Sequence, residues 1–227
     1  VTNYETLTKL EDVIRSFDDV EAFKAQLAVI PSADKITLEH REAVEAAQAV
    51  YDALSETQKE NLTFAEHAKM KALTERIKEL EKAAAEAVDK LIEAIGDIEL
   101  TDECKARIDA ARAAYDALTD KQKELVTKAD VLKAAEAAYA KLADEAAAKA
   151  VENMIAALPE ADNVALTDEA SIVAARSAYD KLTDAQKALV PNKAKLEAAE
   201  KKLAELKAIA AKEEADRKAA QSVTDMI

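Results

Sequence analysis

Glycine occurs once in these 227 residues, proline three times and cysteine once, and tryptophan is absent. With so few turn formers, strands have no visible place to reverse, and the lone Cys104 excludes an internal disulfide framework. No apolar run approaches the roughly 18 residues that a membrane-spanning helix requires, so no membrane insertion is expected. No basic-then-apolar leader opens the chain, and Val1 is not an expected natural start, so the sequence reads as an excerpt. Positive charge is also scarce. Against 46 Asp and Glu stand 32 Lys and Arg, a net charge of −14, which opposes the phosphate contacts that drive nucleic-acid binding. Three Phe and five Tyr are too few for the exposed aromatic platforms on which sugar recognition depends.

What remains is rich in Ala, Glu, Lys and Leu, the composition of an all-α protein. One phrase recurs: AAQAVYDALSETQKENL at 46–62, AARAAYDALTDKQKELV at 110–126 and AARSAYDKLTDAQKALV at 174–190. Its tyrosines, Tyr51, Tyr115 and Tyr179, are 64 residues apart both times (115 − 51 and 179 − 115), a period that signals an array of supersecondary units. Each unit is long enough for three helices, which can close a small core.

The first helix of each unit reads VEAFKAQL from Val20, VDKLIEAI from Val88 and VENMIAAL from Val151, and a breaker stops it at Pro31, Gly96 or Pro159. Thr37, Thr101 and Thr167 stand as N-caps of the second helix, although the third unit has two residues fewer between Thr167 and Tyr179. In the second unit that helix presents Cys104, Ile108, Ala111, Tyr115 and Leu118 as one stripe, with Cys104 a small filler matched by His40 and Ala170 elsewhere. The tyrosine supplies bulk among alanines and carries its hydroxyl to the edge, toward a partner. Beyond it, Ser55 with Gln58, Thr119 with Gln122 and Thr183 with Gln186 have capping-box spacing, which predicts a single bridging turn to the third helix. Leu125 and Val126 are expected to plug the end of the bundle.

The third helix carries the clearest periodicity. Met70, Leu73, Ile77, Leu80, Ala84, Val88, Leu91 and Ile95 run on without a breaker into the first helix of the next unit. Leu132, Ala135, Tyr139, Leu142, Ala146, Val151, Met154 and Leu158 make the same crossing. The expected fold is therefore tandem three-helix bundles joined by continuous helices, similar in that respect to spectrin repeats of longer period. Three full repeats at 18–82, 83–145 and 146–213 lie between the third helix of a preceding repeat at 1–17 and the start of a following one at 214–227. VTNYETL at 1–7 supports the first of these by its match to VTKADVL at 126–132 and VPNKAKL at 190–196, and SVTDMI at 222–227 supports the second. The charged KEEADRK at 212–218 reads as a solvated stretch of helix.

The phrases AARAAYDALTDKQKELV and VTNYETL resemble those of alanine-rich three-helix repeats in large extracellular and cell-wall-anchored proteins of Gram-positive bacteria, in adhesins and in secreted glycosidases. The resemblance covers essentially the whole chain. It implies an extracellular or cell-wall-associated setting and a structural spacer whose partners are the neighbouring domains of the same chain, in a monomer. The alternative it implies is an adhesin-type module that binds a host or matrix protein through a helix face.

Candidates for chemistry are few. His40 and His67 lie more than a helix apart, with no H-E-x-x-H or paired-cysteine pattern, and read as solvent-facing or capping residues. The acid pairs Asp18–Asp19, Asp102–Glu103 and Glu213–Glu214 point in different directions around a helix and suit helix starts or solvated faces. No enzymatic activity, cofactor or metal site is expected. Asp52, Asp116 and Asp180 follow the tyrosines near a helix C-terminus, where the dipole disfavours an acid, so each needs a local cation. Lys59, Lys123 and Lys187, seven residues onward in each case, are the expected partners.

Overall fold

The computed structural model describes residues 2–224 and is all-α, with no strand among the described residues. The helices are α1 (Thr2–Val29), α2 (Arg41–Ala53), α3 (Glu56–Lys59), α4 (Phe64–Glu93), α5 (Asp102–Asp116), α6 (Asp120–Leu125), α7 (Ala129–Ala156), α8 (Glu169–Asp180), α9 (Asp184–Ala188) and α10 (Lys193–Thr224). Helix α4 runs 30 residues and α7 runs 28 without interruption, about 45 and about 42 Å long at 1.5 Å per residue. Both are filled with Ala, Leu, Glu and Lys, which lose little on entering a helix, and neither contains Gly or Pro. Each ends three residues before its breaker. Glu93 precedes Gly96, which takes the left-handed φ of +67° that a side chain disfavours, and Ala156 precedes Pro159. The expected continuation through 222–227 is described as far as Thr224, still within α10; residues 225–227, like Val1, lie outside the described residues.

The chain divides into two compact units, Val1–Gly96 with Ala106–Leu132, and Asp97–Lys105 with Lys133–Ile227. In the first unit, α1, α2 and α4 converge on one core. Val20, Phe23 and Leu27 come from α1, Val44 and Ala47 from α2, and Met70, Leu73 and Ile77 from α4, with Ile30, Ile36, Leu54 and Leu62 closing the ends. Alanine at 47 lets the α2 axis approach, and the fully buried Phe23 fills the space this leaves against the Tyr51 ring, 5.4 Å between centroids. In the second unit the corresponding core gathers Ala148, Val151 and Ile155 from α7, Ile172, Ala175 and Tyr179 from α8, and Leu196, Ala199 and Leu203 from α10.

The buried stripe of α4 differs from the near-heptad expectation. It runs Met70, Leu73, Ile77, Glu81, Ala85, Val88 and Ile92, and Leu91 is 40% exposed. The six steps from Met70 to Ile92 cover 22 residues, the 11-residue spacing of a helix that does not supercoil to the left, so Glu81 and Ala85 take the buried line while Leu80 packs half-buried against the core and Ala84 is half-buried. In α7 Leu132, Ala135 and Val151 are buried as expected, while Ala148 and Ile155 are buried in place of Ala146 and Met154. At the bridging turn Val126 is buried, but Leu125 is 45% exposed and plugs nothing. Residues 212–218 are solvated as expected, with Arg217 bonded to Glu214 one turn back at 2.7 Å.

Candidate functional site

The feature that recurs at the 64-residue period is the turn linking α2 to α4, α5 to α7 and α8 to α10. Each begins with a reciprocal capping box. Ser55 N donates to Gln58 Oε1 at 2.7 Å and Gln58 N to Ser55 Oγ at 3.3 Å. The corresponding pairs measure 2.9 and 3.4 Å for Thr119 with Gln122, and 3.0 and 3.2 Å for Thr183 with Gln186. Two orphan N–H groups are thereby satisfied at the start of a helix of only four to six residues, too short to be stable alone.

The glutamine does a second job that the sequence reading missed. Gln58 Nε2 donates to Asp19 on α1 at 3.1 Å, and Gln186 Nε2 to Asp144 on α7 at 2.7 Å. The first and third turns are thus tied to a helix some 40 residues earlier in the chain, through a buried amide and a half-buried one respectively. The signal available in the sequence was an acid set well upstream of each glutamine.

The expected clamp between the aspartates and the downstream lysines is not what forms. Asp116 pairs with Arg112 and Asp180 with Arg176, each at 3.5 Å and one turn back on the same helix, while Asp52 accepts from Gln48 Nε2 at 2.7 Å. The lysines sit over the tyrosine rings instead, with Nζ 5.3 Å from the Tyr51 centroid for Lys59, 5.8 Å from Tyr115 for Lys123 and 5.9 Å from Tyr179 for Lys187. A four-residue helical step already delivers a partner to each aspartate. The turn carries its lysine across the ring face, where the aromatic quadrupole receives it. Arg112 and Arg176 flank the same rings at 5.4 and 5.5 Å.

Tyr51 and Tyr115 are half-buried and Tyr179 is buried. The Tyr51 hydroxyl meets His67 Nδ1 at 2.8 Å, and His67 Nε2 meets the Lys59 carbonyl at 3.1 Å. His67 is therefore a half-buried bridge from α2 to the turn, not a solvent-facing or capping residue, because its place on the first turn of α4 faces both. His40 does cap, its Nδ1 accepting from Thr37 N at 3.2 Å.

Two assignments at the start of the second helix are corrected. Thr167 is not an N-cap but the exposed middle residue of a 3₁₀ turn, Leu166–Asp168. Its expected role falls to Ala165, the N-cap of that turn, and to Asp168, the N-cap of α8, whose Oδ2 accepts from Ala165 N at 2.8 Å. Ala165 lies 14 residues before Tyr179, as Thr37 lies before Tyr51 and Thr101 before Tyr115. The counterpart of Cys104 is therefore Asp168 and not Ala170. Cys104 itself is fully buried, its N–H donating to Thr101 Oγ1 at 3.2 Å.

The helix ends are tied by side chains from the third helix of each group. Lys69 Nζ donates to the carbonyls of Leu27 and Ile30, both at 2.7 Å, and Lys195 Nζ to that of Ala156 at 3.1 Å, so each sets a positive charge on a helix C-terminus. Asp89 of α4 accepts from Thr127 N and Lys128 N at 3.1 and 2.9 Å and from Thr127 Oγ1 at 2.7 Å, capping α7 from outside its own sequence. Partial burial is the largest single influence on the Asp89 carboxyl and opposes ionisation. The hydrogen bonds from Thr127 and Lys128 together outweigh it and hold the group below the ordinary aspartate range.

Beside the first turn, α2 and α4 flank a cleft of about 370 Å³. Val44, Ala49 and Ile77 supply its apolar wall. Thr74 Oγ1 donates to Gln48 Oε1 at 2.7 Å, and that glutamine's amide holds Asp52, so the polar wall is a fixed relay. Lys121 closes one side, bonded to Glu45 at 2.7 Å, and that bond raises its pKa. Glu81 also lines the cleft. It is 8% exposed, and its Oε1 is buried without a hydrogen-bond partner.

Among the described residues no group of three or more His, Cys, Asp or Glu is placed to hold a metal, and no helix is long and apolar enough to cross a membrane. Comparison with protein-family models, with curated proteins and with solved structures finds no match to this chain.

Proposed function

We propose that the chain is a non-catalytic spacer made of tandem three-helix bundles, with repeats at 18–82, 83–145 and 146–213, in the surface or secreted multidomain protein of a Gram-positive bacterium. The observation that carries the reading is the continuity of α4 across the 82/83 boundary and of α7 across 145/146. A helix shared by two repeats couples each to its neighbour, and a repeat array of this kind keeps the domains at its ends apart. The regularity of the capping turn supports it too: the most repeated side chains are those that fix helix ends, not a convergent catalytic set.

Residues 1–17 fit the third helix of a further repeat. Leu7, Leu10 and Ile14 are 54–60% exposed, whereas their counterparts Leu196, Ala199 and Leu203, counted from the matching phrase at 190–196, are buried. Small-angle scattering of the full chain and of versions shortened by one repeat tests the spacer. The maximum dimension is expected to fall by a constant increment per repeat removed, and an unchanged dimension overturns the reading.

A further inference from the structure

The cleft between α2 and α4 has no part in the spacer reading, yet it contains the one charged side chain among the described residues that is both more than nine-tenths buried and left with an unpartnered oxygen, Glu81. A carboxylate withdrawn from water needs donors, and leaving one of its oxygens without any is costly. Lys78, which lines the cleft one turn before Glu81, leaves that oxygen unpartnered, and the other donors there are committed elsewhere. Lys121 is bonded to Glu45, the Gln48 amide to Asp52, and the Thr74 hydroxyl to Gln48 and to the Met70 carbonyl at 3.0 Å. Of the charged groups lining the cleft, Glu45, Asp52 and Glu81 outnumber Lys78 and Lys121, so the space favours a cation. Its apolar wall favours a cation that carries a short hydrocarbon chain.

We propose that this cleft binds an alkylammonium group. The ammonium donates to Glu81 and the methylenes lie against Val44, Ala49 and Ile77. A free aliphatic amine and the side chain of a lysine present the same chemistry, and both have dimensions suited to a space of about 370 Å³. The volume, the acid that receives no hydrogen bond at its buried oxygen and the apolar wall together specify the ligand class; none of them does so alone.

The test is a methyl and amide NMR titration of the full chain with n-butylammonium chloride and with a lysine blocked at both backbone ends. n-Butanol and sodium chloride at matched concentrations serve as controls. Saturable shifts of Val44, Ala49 and Ile77 with the ammonium ligands and not with butanol are expected. Glu81→Gln should weaken that binding roughly tenfold or more, the size of a lost hydrogen bond to a charged group. Binding of the blocked lysine identifies a protein-borne side chain as a competent source, whereas binding of butylammonium alone identifies a free amine. Shifts that fail to saturate, that butanol reproduces, or that persist undiminished in Glu81→Gln overturn the proposal and leave Glu81 satisfied by ordered water only. If Glu81→Gln changes the spectrum of the free protein, the comparison of butylammonium with butanol on the wild-type chain decides.

Discussion

Gln186 Nε2 lies 2.7 Å from Asp144 Oδ1, a hydrogen bond that spans 42 residues of sequence and joins the turn after α8 to the side of α7. The same amide accepts from the Thr183 N–H through its oxygen, so one glutamine closes a helix cap and fixes that cap to the core. Glutamine suits the role because its amide is donor and acceptor at once.

Gln186→Ala should therefore cost more than a simple cap deletion. The loss of a capping acceptor and of a hydrogen bond to a carboxylate predicts about 2–3 kcal/mol in urea unfolding, against about 1 kcal/mol for Thr183→Ala. Equal losses in the two variants would show that the Asp144 bond contributes nothing.

Lys123 and Tyr115 should be energetically coupled, and Lys123 and Asp116 should not. A double-mutant cycle of Lys123→Met with Tyr115→Leu is expected to give about 0.5–1 kcal/mol, the range of an exposed cation–π contact. The cycle with Asp116→Ala should give a value close to zero. Coupling confined to the aspartate would restore the clamp expected from spacing.

Asp89→Ala should lower stability by about 1–2 kcal/mol at neutral pH, the range of a lost N-cap. Because the folded-state pKa of Asp89 is lowered, its contribution is fully present above the ordinary aspartate value and disappears as pH falls through the lowered one. The gap between wild type and variant should thus narrow on acidification, read as converging urea midpoints. A gap that stays constant down to the acid-unfolding limit would separate the cap from the charge.

Tyr51→Phe should cost about 1 kcal/mol through loss of the hydroxyl that meets His67. It should also change the tautomer and exchange behaviour of the His67 ring in nitrogen-detected NMR. An unaltered His67 spectrum would mean that the bridge does not form in solution.

A proline placed at Ala84, deep within α4, removes a backbone donor and clashes with the preceding turn, for about 3 kcal/mol or more. A proline at this half-buried position should be costly through the backbone alone, since Ala84→Ser at the same place is expected to be nearly neutral. Similar effects of the two would argue against an unbroken helix.

The sequence by itself determined the helical class, the 64-residue period, the three capping boxes and the absence of any break through α4 and α7. These are consequences of local spacing and of the missing Gly and Pro, which act within a few residues along the chain. What the tertiary structure decided is where side chains go once helices lie side by side: lysines onto tyrosine rings, glutamines onto Asp19 and Asp144, Asp89 onto the start of α7, and Glu81 into the buried stripe. Each of these joins residues that sequence spacing does not bring together, and the stripe itself follows how a straight helix turns against its neighbours, a rotation that a heptad count leaves out.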